Sequence, residues 1–283
     1  MVLYKEYRFL IDCGEGTQRQ LLKSGLGFRR LDKILLTHGH LDHILGLGGL
    51  VSTFARWEAI PSIELYGGAW ALERVRALMA VVLGPGDPPL EIRYFPLEKE
   101  GVILEDDTFQ LSIFPVSHRG PDCWGYNFCE KERRPFLVDK AEALGVPAGP
   151  CRRELVQGKS IRLDTGQVVH PDQVLGPPQP GSKLSFVGDA GRTDNLIEHV
   201  AGADALVIEA TYLAEGADLA REFGHLTAAQ AADLALRAGV KTLYLTHISR
   251  RYREKDILQE AQSIFPNTIV ARDFDSFRVT RQA

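Results

Sequence analysis

Thr37-His38-Gly39-His40-Leu41-Asp42-His43 stands directly after Lys33–Leu36, a run that reads as a short β-strand. Three imidazoles and one carboxylate fall between positions 38 and 43. So many polar groups at a strand end are costly unless they bind something. Imidazole and carboxylate are the ligands Zn²⁺ takes when thiolates are absent. A metal site therefore explains the stretch better than a solvated His-rich turn. Four neighbouring ligands exceed what one tetrahedral ion with an open position needs, which points to two metals.

Two metals require further ligands, and these stand at later strand ends. His118 follows Phe109–Val116, Asp189 follows Ser185–Gly188, and His247 follows Leu243–Thr246. Further strands are read at Tyr7–Asp12, Ile63–Tyr66, Gly125–Phe128, Lys183–Gly188, Ala205–Glu209, Thr268–Ala271 and Phe277–Thr280. Helices are read at Thr17–Lys23, Ile44–Arg56, Ala69–Met79, Asn195–His199, Thr227–Ala238 and Lys255–Ile264. In Thr227–Ala238 the apolar stripe Ala228, Ala231, Ala232, Ala235, Leu236 has helical spacing, with Thr227 as N-cap and Gly239 as terminator. Strands alternating with amphipathic helices make an α/β layered domain.

Composition sets the outer bounds. The 283 residues are 45% hydrophobic and 25% charged, which excludes disordered, coiled-coil and collagen-like chains. The longest apolar run, Ala77–Leu83, is far short of the ~20 residues of a membrane span. Lys5, Glu6 and Arg8 break any secretory signal, so a cytoplasmic protein without membrane partners is expected. Cys13, Cys123, Cys129 and Cys151 form no CxxC pair, and reduced thiols are expected. A net charge of −4 gives no global attraction for polyanions.

A local basic stretch exists all the same. Between Lys131 and Ser182 the composition turns to Pro and Gly, with Arg133, Arg134, Lys140, Arg152, Arg153, Lys159 and Arg162 among acidic residues. A stretch of about fifty residues with so little periodicity reads as an inserted, flexible arm on a single domain spanning 1–283. Tyr126 and Phe128 are read as buried strand aromatics.

HxHxDH followed by single His, Asp and His ligands at later strand ends resembles the metallo-β-lactamase superfamily, which implies an αββα sandwich. By that resemblance His38, His40 and His118 bind one zinc, and Asp42, His43 and His247 the other. Asp189 bridges them, and Asp12 supports the ligands from behind. Asp12-Cys13-Gly14-Glu15-Gly16-Thr17-Gln18 looks like the opening motif of the ribonuclease Z family. Glu209-Ala210-Thr211, with His225 ahead of Leu226-Thr227-Ala228, is similar to that family's second catalytic element. The arm, with Gly145-Val146-Pro147-Ala148-Gly149-Pro150, resembles the one that grips the tRNA elbow in long-armed bacterial members.

The resemblance implies an endoribonuclease that trims the 3′ end of precursor tRNA, with two Zn²⁺ or Mn²⁺ per subunit. His225 is the proton donor, Glu209 its orienter with Thr211 beside it, and Asp42 orients the attacking water. Gly149, Pro150, Arg152, Arg153 and Lys159 are the RNA-binding candidates, with no role for DNA. A homodimer, one subunit's arm serving the other's active site, is carried over from the family. The rival readings are a small-molecule phosphodiesterase or esterase of the same superfamily, and a non-catalytic RNA-binding relative. Two departures are visible. Ala190 stands where the family pattern has Thr. Family members also begin about two dozen residues earlier with a Gly-rich strand–turn–strand; either the start codon is called too far downstream or the first hairpin is lacking, and a missing hairpin would open a sheet edge near Met1.

Overall fold

The computed structural model describes residues 1–57, 60–84 and 90–281. Two sheets face each other with helices on both outer sides. The first sheet has the order β1 (Val2–Tyr4), β2 (Tyr7–Ile11), β3 (Lys33–Leu35), β4 (Ser62–Gly67), β5 (Glu91–Pro96). Only β1 and β2 pair antiparallel; the others are parallel. The chain then enters the second sheet through β6 (Gly101–Glu105), β7 (Phe109–Pro115) and β8 (Trp124–Glu130). After the arm, which holds β9 (Ile161–Arg162) and β10 (Val168–Val169), it returns as β11 (Lys183–Phe186). It continues as β12 (Ala205–Glu209), β13 (Thr242–Thr246) and β14 (Thr268–Val270). The second sheet runs β14-β13-β12-β11-β8-β7-β6.

Three apolar layers hold this sandwich together. Phe9, Leu35, Phe109, Tyr126 and Phe128 fill the space between the sheets. Leu47, Val51 and Phe54 of the helix Gly46–Trp57 pack on the first sheet together with Leu72 and Val75. The alanine stripe of the helix Ala228–Arg237 packs on the second. That helix begins as its sequence predicts: Thr227 Oγ1 accepts from Gln230 N at 3.2 Å, and Gln230 Oε1 accepts from Thr227 N at 2.9 Å. Tyr126, buried in the inter-sheet core, donates its hydroxyl to Leu36 O at 2.7 Å. Among the described residues no helix is long and apolar enough to cross a membrane.

Two expectations change. Phe277–Thr280 forms no strand; Phe277 instead lies on Tyr244 of β13, with ring centroids 4.5 Å apart. The Pro- and Gly-rich stretch 131–182 is not irregular. It contains the helices Val138–Ala143, Pro150–Val156 and Pro171–Val174 besides β9 and β10. These close over a core of their own, made of Ala141, Val146, Leu155, Ile161, Val169 and Val174. Leu155→Ala is therefore expected to cost about 2–5 kcal/mol within the arm alone. Hydrogen exchange should accelerate across 138–175 while the sandwich keeps its protection; uniform loss of protection would show that the arm is not a separate folding unit.

Candidate metal centre

Strand direction brings the polar residues together. β7 and β11 both run antiparallel to β8, hence parallel to each other, and β12 and β13 run with β11. Their C-terminal ends share one edge and carry His118, Asp189, Glu209 and His247. The first sheet delivers the His38–His43 segment from the end of β3 to the same edge, where Trp124 N donates to Thr37 O at 2.8 Å.

Three ring nitrogens converge first. His40 Nδ1 lies 2.9 Å from His38 Nε2 and 3.2 Å from His118 Nε2, and Asp189 Oδ2 stands 3.8 Å and 3.7 Å from the latter two. Two nitrogens on one tetrahedral zinc, each ~2.0–2.1 Å from it, stand about 3.3 Å apart. Lone pairs facing at such separations need a cation between them, so the donor set fits a divalent metal. A second set adjoins it: His247 Nε2 is 3.6 Å from Asp42 Oδ2, and His43 Nε2 is 3.7 Å from the same oxygen. Asp189 Oδ1 lies 3.6 Å from His247 Nε2, so the buried Asp189 carboxylate faces both sets.

The rear nitrogens are held by a supporting layer. Asp12 Oδ2 accepts from His43 Nδ1 at 2.7 Å and from Thr37 Oγ1 at 2.7 Å, while Oδ1 accepts from Thr37 N at 2.8 Å. With its one proton given to Asp12, the Thr37 hydroxyl accepts from His38 Nδ1 at 3.0 Å. Thr211 repeats the device: its hydroxyl donates to Glu209 Oε2 at 2.6 Å and accepts from His247 Nδ1 at 2.9 Å. His118 Nδ1 donates to Gly224 O at 2.7 Å. Each contact leaves Nε2 free for a metal. Asp12 and His247 both hold left-handed backbone, φ 56° and 55°, which costs of order 1–3 kcal/mol at a non-glycine residue. Gly14 permits the close approach of this loop, since a Cβ there would lie 2.1 Å from Asp42 O.

Beside these candidate ligands lies a pair of different character. Glu209 is 0% exposed and accepts from Ala190 N at 2.7 Å, Leu226 N at 3.1 Å, Thr211 Oγ1 and His225 Nδ1 at 3.0 Å. The Ala190 contact is a backbone one, so the absence of a Thr side chain there costs it nothing. His225 Nε2 remains available, and the ring packs against His118 and His247 at 5.1 Å and 5.3 Å between centroids.

Burial and charge divide the ring populations. Burial, with the neighbouring imidazoles, pushes His38 down to about 2, and burial also lowers His118. Burial lowers His40, with His43 and Arg74 adding to it against Asp189 and Asp42. For His43 burial opposes the charge, but the carboxylates of Asp12 and Asp189 win and lift it to about 11. His247 is raised against burial by Asp42 and Asp189. Its hydrogen bond from His247 takes Asp42 down to about 2, against some burial. Burial disfavours charge on Asp189 too, yet His43, His247 and His38 hold it far below the carboxylate range.

A consequence follows for metal uptake. Without metal, His43 keeps its proton up to about pH 11, whereas His38 is neutral well below pH 7. Binding a divalent ion at pH 8 should therefore release about one proton from His43. Calorimetric titration in buffers of different ionisation enthalpy measures this; heats independent of buffer would refute it.

The arm residues stand apart from this centre. Arg153 and Lys159 are exposed, and Gly149, with φ 125°, begins the helix whose first residue is Pro150. Arg152 turns inward: its guanidinium reaches Val146 O at 3.2 Å and lies 5.8 Å from the Phe136 ring. Arg134 is likewise engaged, donating to Gly176 O at 2.8 Å. Thr37 was missed in the sequence, although a hydroxyl residue directly before the first ligand was the available signal. Trp70 and Arg74, which adjoin His40, carried none.

Known proteins place this arrangement. The model of the metallo-β-lactamase superfamily matches residues 1–128, and that of a β-lactamase superfamily domain matches residues 157–248. Ribonuclease Z of Bradyrhizobium diazoefficiens is 48% identical over 268 residues, covering 95% of this chain and 89% of that protein. Ribonuclease Z of Brevibacillus brevis is 41% identical over 283 aligned residues, covering 97% and 88%. The fold is that of the short form of human tRNase Z, with a TM-score of 0.66 at 24% identity, over 98% of this chain and 90% of that one. With relatives of this similarity along nearly its whole length, the chain belongs to the ribonuclease Z family.

Proposed function

We propose that this chain is a zinc-dependent endoribonuclease that removes the 3′ trailer from precursor tRNA, leaving a 3′-hydroxyl. The observation that carries the reading is the locked Glu209–His225 pair set against two adjoining ligand groups. His38, His40 and His118 would hold one Zn²⁺, Asp42, His43 and His247 the other, with Asp189 between them. Ions held there would supply Lewis acidity at the scissile phosphate and lower the pKa of a water near them.

The chain's own groups do the rest. Asp42, its carboxylate kept ionised by His247, accepts a hydrogen bond from the attacking water and aims it. His225, oriented through Nδ1 by Glu209, gives a proton from Nε2 to the departing ribose oxygen, which would otherwise leave as a strongly basic alkoxide. Thr211 ties Glu209 to His247, so the proton donor and the second ligand group share one scaffold.

The arm serves as an exosite for the tRNA. Arg133, Lys140, Arg153, Lys159 and Arg162 are exposed on it, suited to phosphate contacts that weaken as salt rises. Leu22, Leu26, Leu41 and Leu45 are exposed around the helix Thr17–Lys23 and its neighbours, which supports a homodimer. The cytoplasm is the expected site of work.

The direct test incubates the protein with a precursor tRNA bearing a 3′ trailer, with and without chelator, and maps both product ends. A metal-dependent cut leaving a 3′-hydroxyl at the discriminator base is expected. Hydrolysis of bis-p-nitrophenyl phosphate without any RNA cut would turn the assignment towards a small-molecule phosphodiesterase.

A further inference from the structure

One cation near the metal centre has no part in the chemistry above. Arg74 lies on the first turns of the helix Ala69–Leu83, half-buried, and has no carboxylate partner among the described residues. Its guanidinium sits 5.2 Å from the centroid of Trp70, one helical turn earlier. Trp70 in turn meets His40 edge to face, 5.5 Å between centroids. The indole is fixed by two glycines. A Cβ on Gly39 would come within 2.8 Å of its Cε3, and one on Gly120 within 2.9 Å of its Cζ3. Gly39 lies between His38 and His40, and Gly120 two residues after His118, so the ligand segments themselves are shaped around this ring.

Position assigns the pair a side of the substrate. The rings Trp70, His40, His118 and His225 are in contact in that order, at 5.5 Å, 5.0 Å and 5.1 Å between centroids. His225 marks the departing ribose oxygen, hence the mature tRNA end. Trp70 and Arg74 stand three ring contacts from His225, which leaves their side of the centre for the chain continuing 3′ of the scissile phosphate. A half-buried guanidinium with no carboxylate partner among the described residues suits a phosphate there, because two parallel N–H donors match its oxygens.

We propose that Arg74, held over Trp70, binds a phosphate of the trailer next to the scissile bond, with Trp70 as its positioning residue. This rests on the tRNA-processing reading and on His225 as proton donor.

The test compares wild type, Arg74→Ala, Arg74→Lys, Trp70→Phe and Trp70→Leu on three substrates. These are a precursor with a trailer of several nucleotides, one whose trailer is a single 5′-phosphoryl nucleoside, and bis-p-nitrophenyl phosphate. Arg74→Ala should lower kcat/KM on the long trailer about 10- to 30-fold, mostly through KM. The salt slope of log KM should also fall by about 0.7, the counter-ion share of one single-strand phosphate. Activity on the single-nucleotide trailer and on the small diester should stay within about two-fold, with metal content unchanged. Arg74→Lys should recover part of the loss, Trp70→Phe most of the function, and Trp70→Leu should match Arg74→Ala on the long trailer. Equal losses on all three substrates, or none on the long trailer, would overturn the subsite while leaving the enzyme assignment intact. A wild-type protein that cuts no precursor would remove both.

Discussion

His225→Ala should lower kcat on precursor tRNA by a factor on the order of 10²–10⁴, the usual worth of a positioned general acid. KM and metal content should barely move, because the ring holds neither RNA nor metal in the proposed scheme. The sharper part of the prediction concerns the leaving group. A ribose alkoxide needs a proton as it departs, whereas p-nitrophenolate is stable without one. On bis-p-nitrophenyl phosphate the variant should therefore retain activity within a few-fold. If both substrates lose equally, His225 acts on the attacking side or on the site's architecture. Glu209→Gln should show the same substrate split with an added loss of stability. The fully buried carboxylate accepts from two backbone amides, Thr211 and His225, and an amide group would turn a donor towards one of these donors.

Asp189→Asn should cost kcat on the order of 10³ on every substrate, as the proposed scheme requires if Asp189 joins two metal positions. Its signature is stoichiometric: metal content should fall from two ions per chain to one or none. The substitution keeps shape and removes charge from a position 3.5–3.8 Å from rings of His38, His43, His118 and His225. Proton release on metal binding should shrink as well, since one of the two carboxylates holding a proton on His43 is gone. An Asp189→Asn protein that still binds two ions and cuts RNA would sink the bridging role.

Much of the clustering was legible because each of these polar residues follows an apolar strand. Parallel strands put their C-terminal ends at one edge, so His118, Asp189, Glu209 and His247 converge once the sheet forms. Glu209 is buried at its strand end, where the chain crosses back and Leu226 N donates to its carboxylate at 3.1 Å. The arm was illegible for a different reason. Its strands are two residues long and its helices four to seven, too short for a hydrophobic period to declare itself. The six residues of its apolar core are scattered through the stretch, each unremarkable alone. Basic residues also gave no direction. Arg153 faces outward while its neighbour Arg152 braces the arm, a difference of one helical step that charge counting cannot see. The Trp70–Arg74 pair was hidden because its partner, His40, lies on another element.

The arm leaves and rejoins the sandwich at one point. Glu130 N donates to Ser182 O at 2.9 Å, and Glu130 Oε2 accepts from Ser182 Oγ at 2.5 Å. A loop whose ends are already bonded asks little of the scaffold, whatever its length. If the arm holds RNA as proposed, mutations inside it would alter which RNAs are held without disturbing the register of β8 against β11, and so without touching His118 or Asp189. Recognition and chemistry are free to change at different rates in such a chain, and the join between residues 130 and 182 is the natural seam for exchanging one arm for another.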